Sequence, residues 1–141
     1  MTHETYNHII DYLRGLIQDT EFEHCTYAVG GCVRDIMLEE EPHDIDLCVE
    51  MCNGGIRLAD YFFKCGFLES EPVRFERYGV AQVRLKEFPE YPIEIVQTRK
   101  ELYTYGSRKP ETTHGTIKED AFRRDLTMNA LYQEIWSGNI I

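Results

Sequence analysis

Apolar side chains recur at every third or fourth position near the start of the sequence, with polar residues between them. Over residues 4 to 19 the apolar positions are Tyr6, Ile9, Ile10, Leu13, Leu16 and Ile17. This spacing is typical of one face of an amphipathic helix, and we expect that face to lie in a buried core. Similar spacing predicts a helix over "IRLADYFFKCGF", which would cover a sheet with Ile56, Ala59, Phe62 and Phe63. A third helical pattern runs through "EDAFRRDLTMNALY".

Several short apolar runs have the length and composition of strands. "CTYAVGG" predicts a buried strand that leads directly into a helix, "GGCVRDIMLEE", which begins at the two glycines. Two further strands are predicted at "YGVAQVRLK" and "PIEIVQTR", and "QEIWSGNII" is typical of a hairpin that turns at Ser137 to Asn139. Residues 100 to 118 contain three turn-forming residues and show no periodicity, so we expect a loop there.

Polar and apolar residues alternate strictly in "HDIDLCVE", residues 43 to 50. The alternation predicts a strand with Asp44, Asp46 and Cys48 on one side and Ile45, Leu47 and Val49 on the other. We expect the apolar side to pack against the core, which leaves the carboxylates on the opposite face of the sheet.

The length and charge of the chain limit what it can be. At 141 residues and 43% hydrophobic composition, the chain can build one core and is short for two domains. No apolar run approaches the ~18 residues of a membrane span and no leader-like segment opens the chain, so we expect a soluble, cytoplasmic protein without a membrane partner. The five cysteines form no C-x-x-C pair and are interpreted as reduced thiols. A net charge of −10 opposes binding of a polyanion, so any contact with nucleic acid must be local.

The two aspartates have the spacing of a metal site. Residues i and i+2 of a strand lie about 6.6 Å apart on one face, close enough for Asp44 and Asp46 to share a divalent ion. A solvated strand edge is the alternative explanation for an isolated D-x-D. The surrounding acidic residues favour a cation, because adjacent carboxylates repel each other without one. Mg²⁺ suits such a pair, since it takes oxygen ligands and completes its shell with water and phosphates.

The two glycines before the second helix could accommodate a phosphate. Gly30 and Gly31 have no Cβ atoms to keep a phosphate from backbone N–H groups, and Arg34 could add a charge-assisted contact. The glycines could also serve only to turn the chain after a strand. The stretch is neither a Rossmann nor a P-loop signature, so the specific feature is the spacing of a phosphate-binding turn and a carboxylate pair.

Together these motifs resemble a known family. "GGCVRDIMLEEEPHDID" is similar to the signature of the head domain of tRNA nucleotidyltransferases (CCA-adding enzymes) and bacterial poly(A) polymerases, in the DNA polymerase beta superfamily. "RKPETTHGTIKEDAFRRDLTMNALY" resembles the second signature of this family, R-R-D-x-T-x-N-A. The resemblance implies an α+β nucleotidyltransferase fold, in which helices flank a mixed β-sheet, and covers residues 1–141 as a single head domain. We expect the neck, body and tail domains of the family to be missing from this chain.

The resemblance also implies roles for individual residues. Gly30, Gly31 and Arg34 would hold the triphosphate, and Asp44 and Asp46 would bind two catalytic Mg²⁺ ions. Glu94 matches a carboxylate on a neighbouring strand and is either a third acidic member of the site or an ordinary outward-facing residue. The second signature would contact the ribose and help to build the nucleotide pocket through Arg123, Arg124, Asp125 and Asn129.

The implied reaction is metal-dependent transfer of a nucleotide from ATP or CTP to an RNA 3′ hydroxyl, as in CCA addition to tRNA or polyadenylation, within a longer or assembled enzyme. The chain departs from the family where Glu39, Glu40 and Glu41 replace the usual Gly-Arg after Leu38. The neck element that reads the incoming base in this family is also absent, so no residue of this chain is assigned to nucleotide selection. We expect RNA to be bound through regions outside this chain. Two alternatives follow: a non-catalytic nucleotide-binding module, and a minimal nucleotidyltransferase that modifies a protein.

Overall fold

The computed structural model describes residues 1–102, 111–117, 120 and 131–141, and only the backbone of residues 99–102 and 111–114. Three helices have bounds within this part: α1 (His3–Ile17), α2 (Gly31–Met37) and α3 (Gly54–Lys64). The strands described are β1 (Thr26–Val29), β2 (Ile45–Val49), β3 (Val73–Phe75), β4 (Val80–Val83), β5 (Ile93–Gln97), β6 (Arg99–Leu102), β7 (Glu111–His114) and β8 (Tyr132–Glu134). A short 3₁₀ helix, Glu76–Tyr78, lies between β3 and β4.

Six strands form one mixed sheet in the order β3-β4-β5-β2-β1-β8. The central pair, β2 and β5, is parallel, and every other neighbouring pair in this sheet is antiparallel. The connection from β2 to β5 contains α3, β3 and β4. This arrangement confirms the predicted α+β fold with a mixed sheet and flanking helices.

The first helix spans His3–Ile17, against a predicted span of residues 4 to 19. Thr2 is the N-cap, and its hydroxyl oxygen accepts the N–H of Thr5 at 3.1 Å, which satisfies one of the free donors of the first turn. The predicted apolar face is buried, apart from the half-buried Leu16. The helix therefore packs on the sheet through residues spaced three and four apart.

The α3 helix covers β2, β4 and β5, but not through all the predicted residues. Leu58, Ala59 and Phe62 are fully buried, whereas Phe63 is 43% exposed and Ile56 is half-buried. The prediction that Phe63 covers the sheet is therefore wrong. The helix approaches the sheet closely at Gly54, where an added Cβ would lie 2.7 Å from the Cβ of Val49. This approach fixes the rotation of the helix and turns Phe63 outward.

The second half of the chain contains strands that the sequence did not predict. β3 pairs with β4, and β6 pairs with β7, so part of the expected loop over residues 100 to 118 is a two-stranded sheet. Backbone pairing forms this ribbon although neither "RKEL" nor "ETTH" alternates in polarity. The remainder of the predicted loop, residues 103–110 and 118, lies outside the described residues.

The predicted hairpin at the end of the chain is present, but its turn lies at Ile135 to Ser137 and not at Ser137 to Asn139. Gly138 has a φ of +75°, its N–H donates to the carbonyl of Glu134 at 2.8 Å, and Gln133 bridges to Ile140. The third predicted helix is wrong at its last two residues, because Leu131 is not helical and Tyr132 lies in β8. Residues 119 and 121–130 of that predicted helix are outside the described part of the chain.

The two faces of the six-stranded sheet differ. All three helices pack on one face, where Ile45, Leu47 and Val49 are fully buried among them. The other face carries a smaller buried cluster formed by Tyr27, Val29, Cys48 and Tyr132, beside exposed polar residues. We call this second side the open face of the sheet. Among the described residues, no helix combines the length and apolar character required to cross a bilayer.

Candidate functional site

The alternation predicted for β2 places the aspartates on the open face. Ile45, Leu47 and Val49 are fully buried, and Asp44 and Asp46 are exposed. Asp44 lies immediately before the strand, and Asp46 is its second residue. The two carboxylates are thus held at the start of a rigid strand whose opposite side is anchored in the core.

Glu94 lies beside Asp46. The parallel pairing of β2 with β5 puts Asp46 in register with Glu94, between the buried pairs Ile45–Ile93 and Leu47–Ile95. Register partners on neighbouring strands are about 4.8 Å apart and project to the same face. Glu94 is exposed, as is its other register partner, Gln82 of β4. The acidic side chain predicted to accompany the aspartates is therefore on the adjacent strand and on the same face.

The carboxylates provide a suitable donor set for Mg²⁺. Within the described part of the chain, no three His, Cys, Asp or Glu side chains are grouped closely enough to bind a metal on their own. Mg²⁺ is usually bound in proteins by one or two carboxylates, with waters and substrate phosphates as its remaining ligands. The pair Asp44 and Asp46 fits this requirement.

The glycine turn connects β1 to α2. In the sheet, β1 is the neighbour of β2 on the side opposite to β5. Gly30 has φ +79° and ψ −133°, a conformation that residues with a Cβ rarely adopt, and its N–H donates to the carbonyl of Leu131 at 3.1 Å. No atom lies within 4 Å of the position that a Cβ of Gly30 would take. Space is therefore open beside this turn.

The side chain of Arg34 lies next to the glycine turn. Its Nη2 atom lies 3.4 Å from the position that a Cβ of Gly31 would occupy. The same nitrogen forms an ion pair with the carboxylate of Asp35 at 3.1 Å, which Nε also contacts at 3.1 Å. The side chain is 37% exposed. The guanidinium is thus held by Asp35 next to the turn, where it can contact an anion placed beside Gly31.

A buried thiol joins the glycine turn to the aspartate strand. The Cys32 thiol donates to the carbonyl of Val29 at 3.5 Å. Burial raises the pKa of Cys32, although a hydrogen bond from the backbone N–H of Asp46 acts in the opposite direction. The first turn of α2 therefore lies directly against the backbone of Asp46.

Two residues that the sequence did not indicate as part of the site, Tyr6 and Gln133, form a hydrogen-bonded pair beside Cys32. The Tyr6 hydroxyl contacts the Cys32 thiol and donates to Oε1 of Gln133 at 2.9 Å. Burial raises the pKa of Tyr6 far above its ordinary value, so the phenol remains neutral. Tyr6 was predicted only as part of an apolar helix face, and periodicity carries no signal for its polar contact.

The second predicted group of site residues is outside the part of the chain that the structure describes. This group consists of Arg123, Arg124, Asp125 and Asn129. The residues on either side of it are in place: Asp120 is fully buried and accepts the hydroxyl hydrogen of Tyr132, and Leu131 accepts the N–H of Gly30. These contacts attach both flanks of the second signature to β8 and the glycine turn.

The described residues bring together two chemical capacities. Asp44 and Asp46 form an exposed acidic pair that suits a divalent cation, and Glu94 lies in register with Asp46 on the neighbouring strand. The turn at Gly30 and Gly31 offers space, backbone N–H groups and the guanidinium of Arg34, which suit a phosphate. Because α2 lies against Asp46, the two sites are adjacent, as required to hold a metal-bound polyphosphate.

Comparison with known protein families agrees with this geometry. Residues 26–141 match the family model described as the Poly A polymerase head domain. The mitochondrial CCA tRNA nucleotidyltransferase of Candida glabrata is 33% identical over 120 residues, which cover 75% of this chain and 22% of that protein. The chain thus spans about a fifth of the length of this relative.

Solved structures have the same fold. The apo form II structure of a CCA-adding enzyme superposes with a TM-score of 0.78 at 29% identity, covering 100% of this chain and 32% of that one. A CCA-adding enzyme in complex with CTP gives a TM-score of 0.70 at 27% identity, covering 100% of this chain and 29% of that one.

Proposed function

Because this chain belongs to the family of poly(A) polymerase head domains, we propose that it transfers a nucleoside monophosphate from ATP or CTP to the 3′ hydroxyl of tRNA, as the head of a longer or assembled enzyme. The observation that carries the proposal is the register pairing of Asp46 with Glu94 beside the glycine turn. A nucleotidyltransferase of this family needs a cation site and a triphosphate site in contact, and these residues supply both.

Each group of residues has a defined part in this reaction. The turn at Gly30 and Gly31 binds the phosphates with Arg34, and Arg123, Arg124, Asp125 and Asn129 bind the ribose and shape the pocket. Asp44 and Asp46 would hold two Mg²⁺ ions, which supply Lewis-acid activation of the attacking hydroxyl and charge neutralisation at the phosphates. Glu94 orients or completes this acidic group from β5. No side-chain nucleophile is required, because the RNA hydroxyl attacks the α-phosphate and pyrophosphate leaves.

The acidic character of the chain assigns most of the RNA binding to other parts of the enzyme. A protein that binds tRNA through its phosphates uses several Lys or Arg contacts, and this chain carries a net charge of −10. We therefore propose that the chain contacts only the acceptor end of the RNA. We also retain the cytoplasmic location as a prediction, which fractionation of cells expressing the tagged full-length protein would check.

A labelling experiment tests the function. The protein is incubated with Mg²⁺, tRNA lacking its terminal CCA, and either α-labelled ATP or α-labelled CTP. We expect label on the tRNA, with no transfer in EDTA or with Asp44→Asn. That variant keeps the size and hydrogen-bonding capacity of the side chain and removes its charge. Absence of label from tRNA, with a folded wild-type protein that binds CTP in a titration, would contradict the proposal.

The charge of −10 favours a second candidate, a nucleotide-binding module that does not act on RNA. The same experiment separates the possibilities. Binding of CTP without transfer to any acceptor supports the non-catalytic module, and label that appears on protein alone supports a minimal nucleotidyltransferase that modifies proteins.

A further inference from the structure

The segment that leads into the second signature is attached to the two strands that carry the acidic group. Thr98, the residue after β5, is fully buried, and its carbonyl accepts the N–H of Gly115 at 3.0 Å while its hydroxyl donates to the Gly115 carbonyl. The N–H of Thr98 donates in turn to the carbonyl of Val49, the last residue of β2, at 3.1 Å. Gly115 is thus tied to the ends of both strands.

The residue after β2 forms a second attachment. Oε2 of Glu50 accepts the backbone N–H of Ile117 at 2.6 Å, a contact between residues 67 positions apart. The N–H of Glu50 donates to the carbonyl of Cys25 at 2.8 Å, which fixes the backbone from which the carboxylate projects. A charge-assisted hydrogen bond of this kind is about twice as strong as a neutral one.

Ile117, whose N–H binds Glu50, also packs against the open face of the sheet. Its side chain is half-buried against the cluster of Tyr27, Val29, Cys48 and Tyr132. The N–H of Asp120 donates to the carbonyl of Thr116 at 2.9 Å, a hydrogen bond with the spacing of an α-helical turn, and Glu50 binds the N–H of the residue that follows Thr116. A carboxylate at the start of such a turn satisfies an N–H that has no partner within the turn.

From these contacts we propose that Glu50 is a positioning residue for nucleotide binding, whose carboxylate holds Ile117, in the segment that leads into the second signature, against the strand that carries Asp46. Glu50 follows Asp46 by four residues, and Arg123 follows Ile117 by six. The inference rests on the proposed function, since it assigns Arg123 and its neighbours to the nucleotide pocket.

The contact differs from the other anchors of the same segment. Thr98 and Asp120 are fully buried, and their loss would disturb the fold. Glu50 is only half-buried, so its replacement loosens the start of the segment while the buried anchors keep it attached. The expected consequence is weaker nucleotide binding in a protein that remains folded.

Two substitutions at this position separate the roles of the side chain. Glu50→Ala removes the acceptor, and Glu50→Gln keeps an oxygen that can accept the Ile117 N–H. In the tRNA transfer assay we expect Glu50→Ala to raise KM for ATP or CTP about tenfold with kcat changed less than about twofold. We expect Glu50→Gln to restore KM to within about threefold of wild type. Glu90→Ala, an exposed residue in the turn between β4 and β5, is the control for the change in net charge.

A readout that needs no activity accompanies the kinetics. Hydrogen exchange of the Ile117 amide should be fast in Glu50→Ala and remain slow in Glu50→Gln and Glu90→Ala. If wild-type protein fails to transfer label to tRNA, the proposed function fails, and the dissociation constant for CTP then replaces KM as the measure of the role of Glu50. Unchanged nucleotide affinity in Glu50→Ala would overturn the proposal. Loss of kcat in parallel with loss of thermal stability would also overturn it, because the role would then be structural.

Discussion

The helix-covered face and the open face of the sheet are built from alternate residues of the same strands. On β2 and β5, the pairs Ile45–Ile93 and Leu47–Ile95 are buried, and the pair Asp46–Glu94 between them is exposed. The backbone is common to both faces, so any difference in their tolerance of substitution comes from the side chains. Stability and chemistry are therefore assigned to opposite sides of one strand.

The separation has a physical advantage for a cation site. Neighbouring carboxylates repel each other and lower stability unless a cation is bound. Packing of Leu47 and Ile95 on the opposite side can offset this cost, because each buried aliphatic side chain contributes about 1.5–3 kcal/mol. The core contacts of the neighbouring residues therefore hold the backbone from which the acidic group projects.

The largest effect expected is on activity, from a substitution on the open face. Asp46→Ala should lower nucleotide transfer by at least about a hundredfold, because charge neutralisation by a bound metal contributes several kcal/mol. The thermal midpoint should change little, since Asp46 is exposed and the substitution removes no core contact. Transfer assays and thermal unfolding of the same preparation check both statements. A protein that loses structure together with activity would show that Asp46 has a structural role.

The adjacent position should behave in the opposite way. Leu47→Ala removes a fully buried side chain and should lower the free energy of unfolding by about 2–5 kcal/mol. At a temperature where the variant is folded, transfer should fall much less than in Asp46→Ala. Urea unfolding and transfer at low temperature measure the two effects. Equal losses of activity at positions 46 and 47 would show that activity does not depend mainly on the open face.

The sequence predicted which side chains are buried and which are exposed where the pattern lies within one short segment. Polar and apolar residues alternate from Asp44 to Leu47, so β2 and the exposure of Asp44 and Asp46 were predictable from this short segment. By contrast, β3 is only three residues long, and its exposed Val73 and Phe75 carry no sign of a buried face. The orientation of Phe63 depended on the close approach of Gly54 to Val49, which helical periodicity does not encode.

Contacts between distant positions were predictable only in part. The placement of Glu94 beside Asp46 requires parallel pairing across 48 positions, and only the resemblance to a family suggested it. Nothing in the sequence indicated the contact of Glu50 with Ile117 or that of Tyr6 with Cys32. These side chains are polar groups whose partners are chosen by tertiary packing, after the local elements have formed.

A smaller effect is expected at the glycine turn between β1 and α2. Gly30→Ala should lower the free energy of unfolding by about 1–3 kcal/mol, because its φ of +79° and ψ of −133° are strained for any residue with a Cβ. Gly15→Ala is a matched control: this exposed glycine lies within α1, has no atom within 4 Å of the added Cβ, and should stabilise the helix by about 0.5–1 kcal/mol. Thermal unfolding of the two variants should therefore shift in opposite directions. Equal shifts would mean that Gly30 is not strained.

The smallest effect expected is a loss of stability at alkaline pH. It should come from buried thiols and phenols on the helix-covered side of the sheet. Burial, with Glu50 and Glu21 nearby, raises the pKa of Cys25 from 9.0 to about 11, and burial also raises the pKa of Cys32 and of Tyr6. A thiol whose pKa is higher in the folded state than in the unfolded state binds more protons when folded, so stability falls as pH rises from about 9 towards 11. The thermal midpoint should accordingly decrease over this range, and the decrease should be smaller in Cys25→Ser. Serine can still donate to the carbonyl of Glu21, the contact that the Cys25 thiol makes at 3.3 Å, and it does not titrate at these pH values. Identical alkaline decreases in the two proteins would exclude Cys25 as a source of the effect and leave it to the more deeply buried Cys32 and Tyr6.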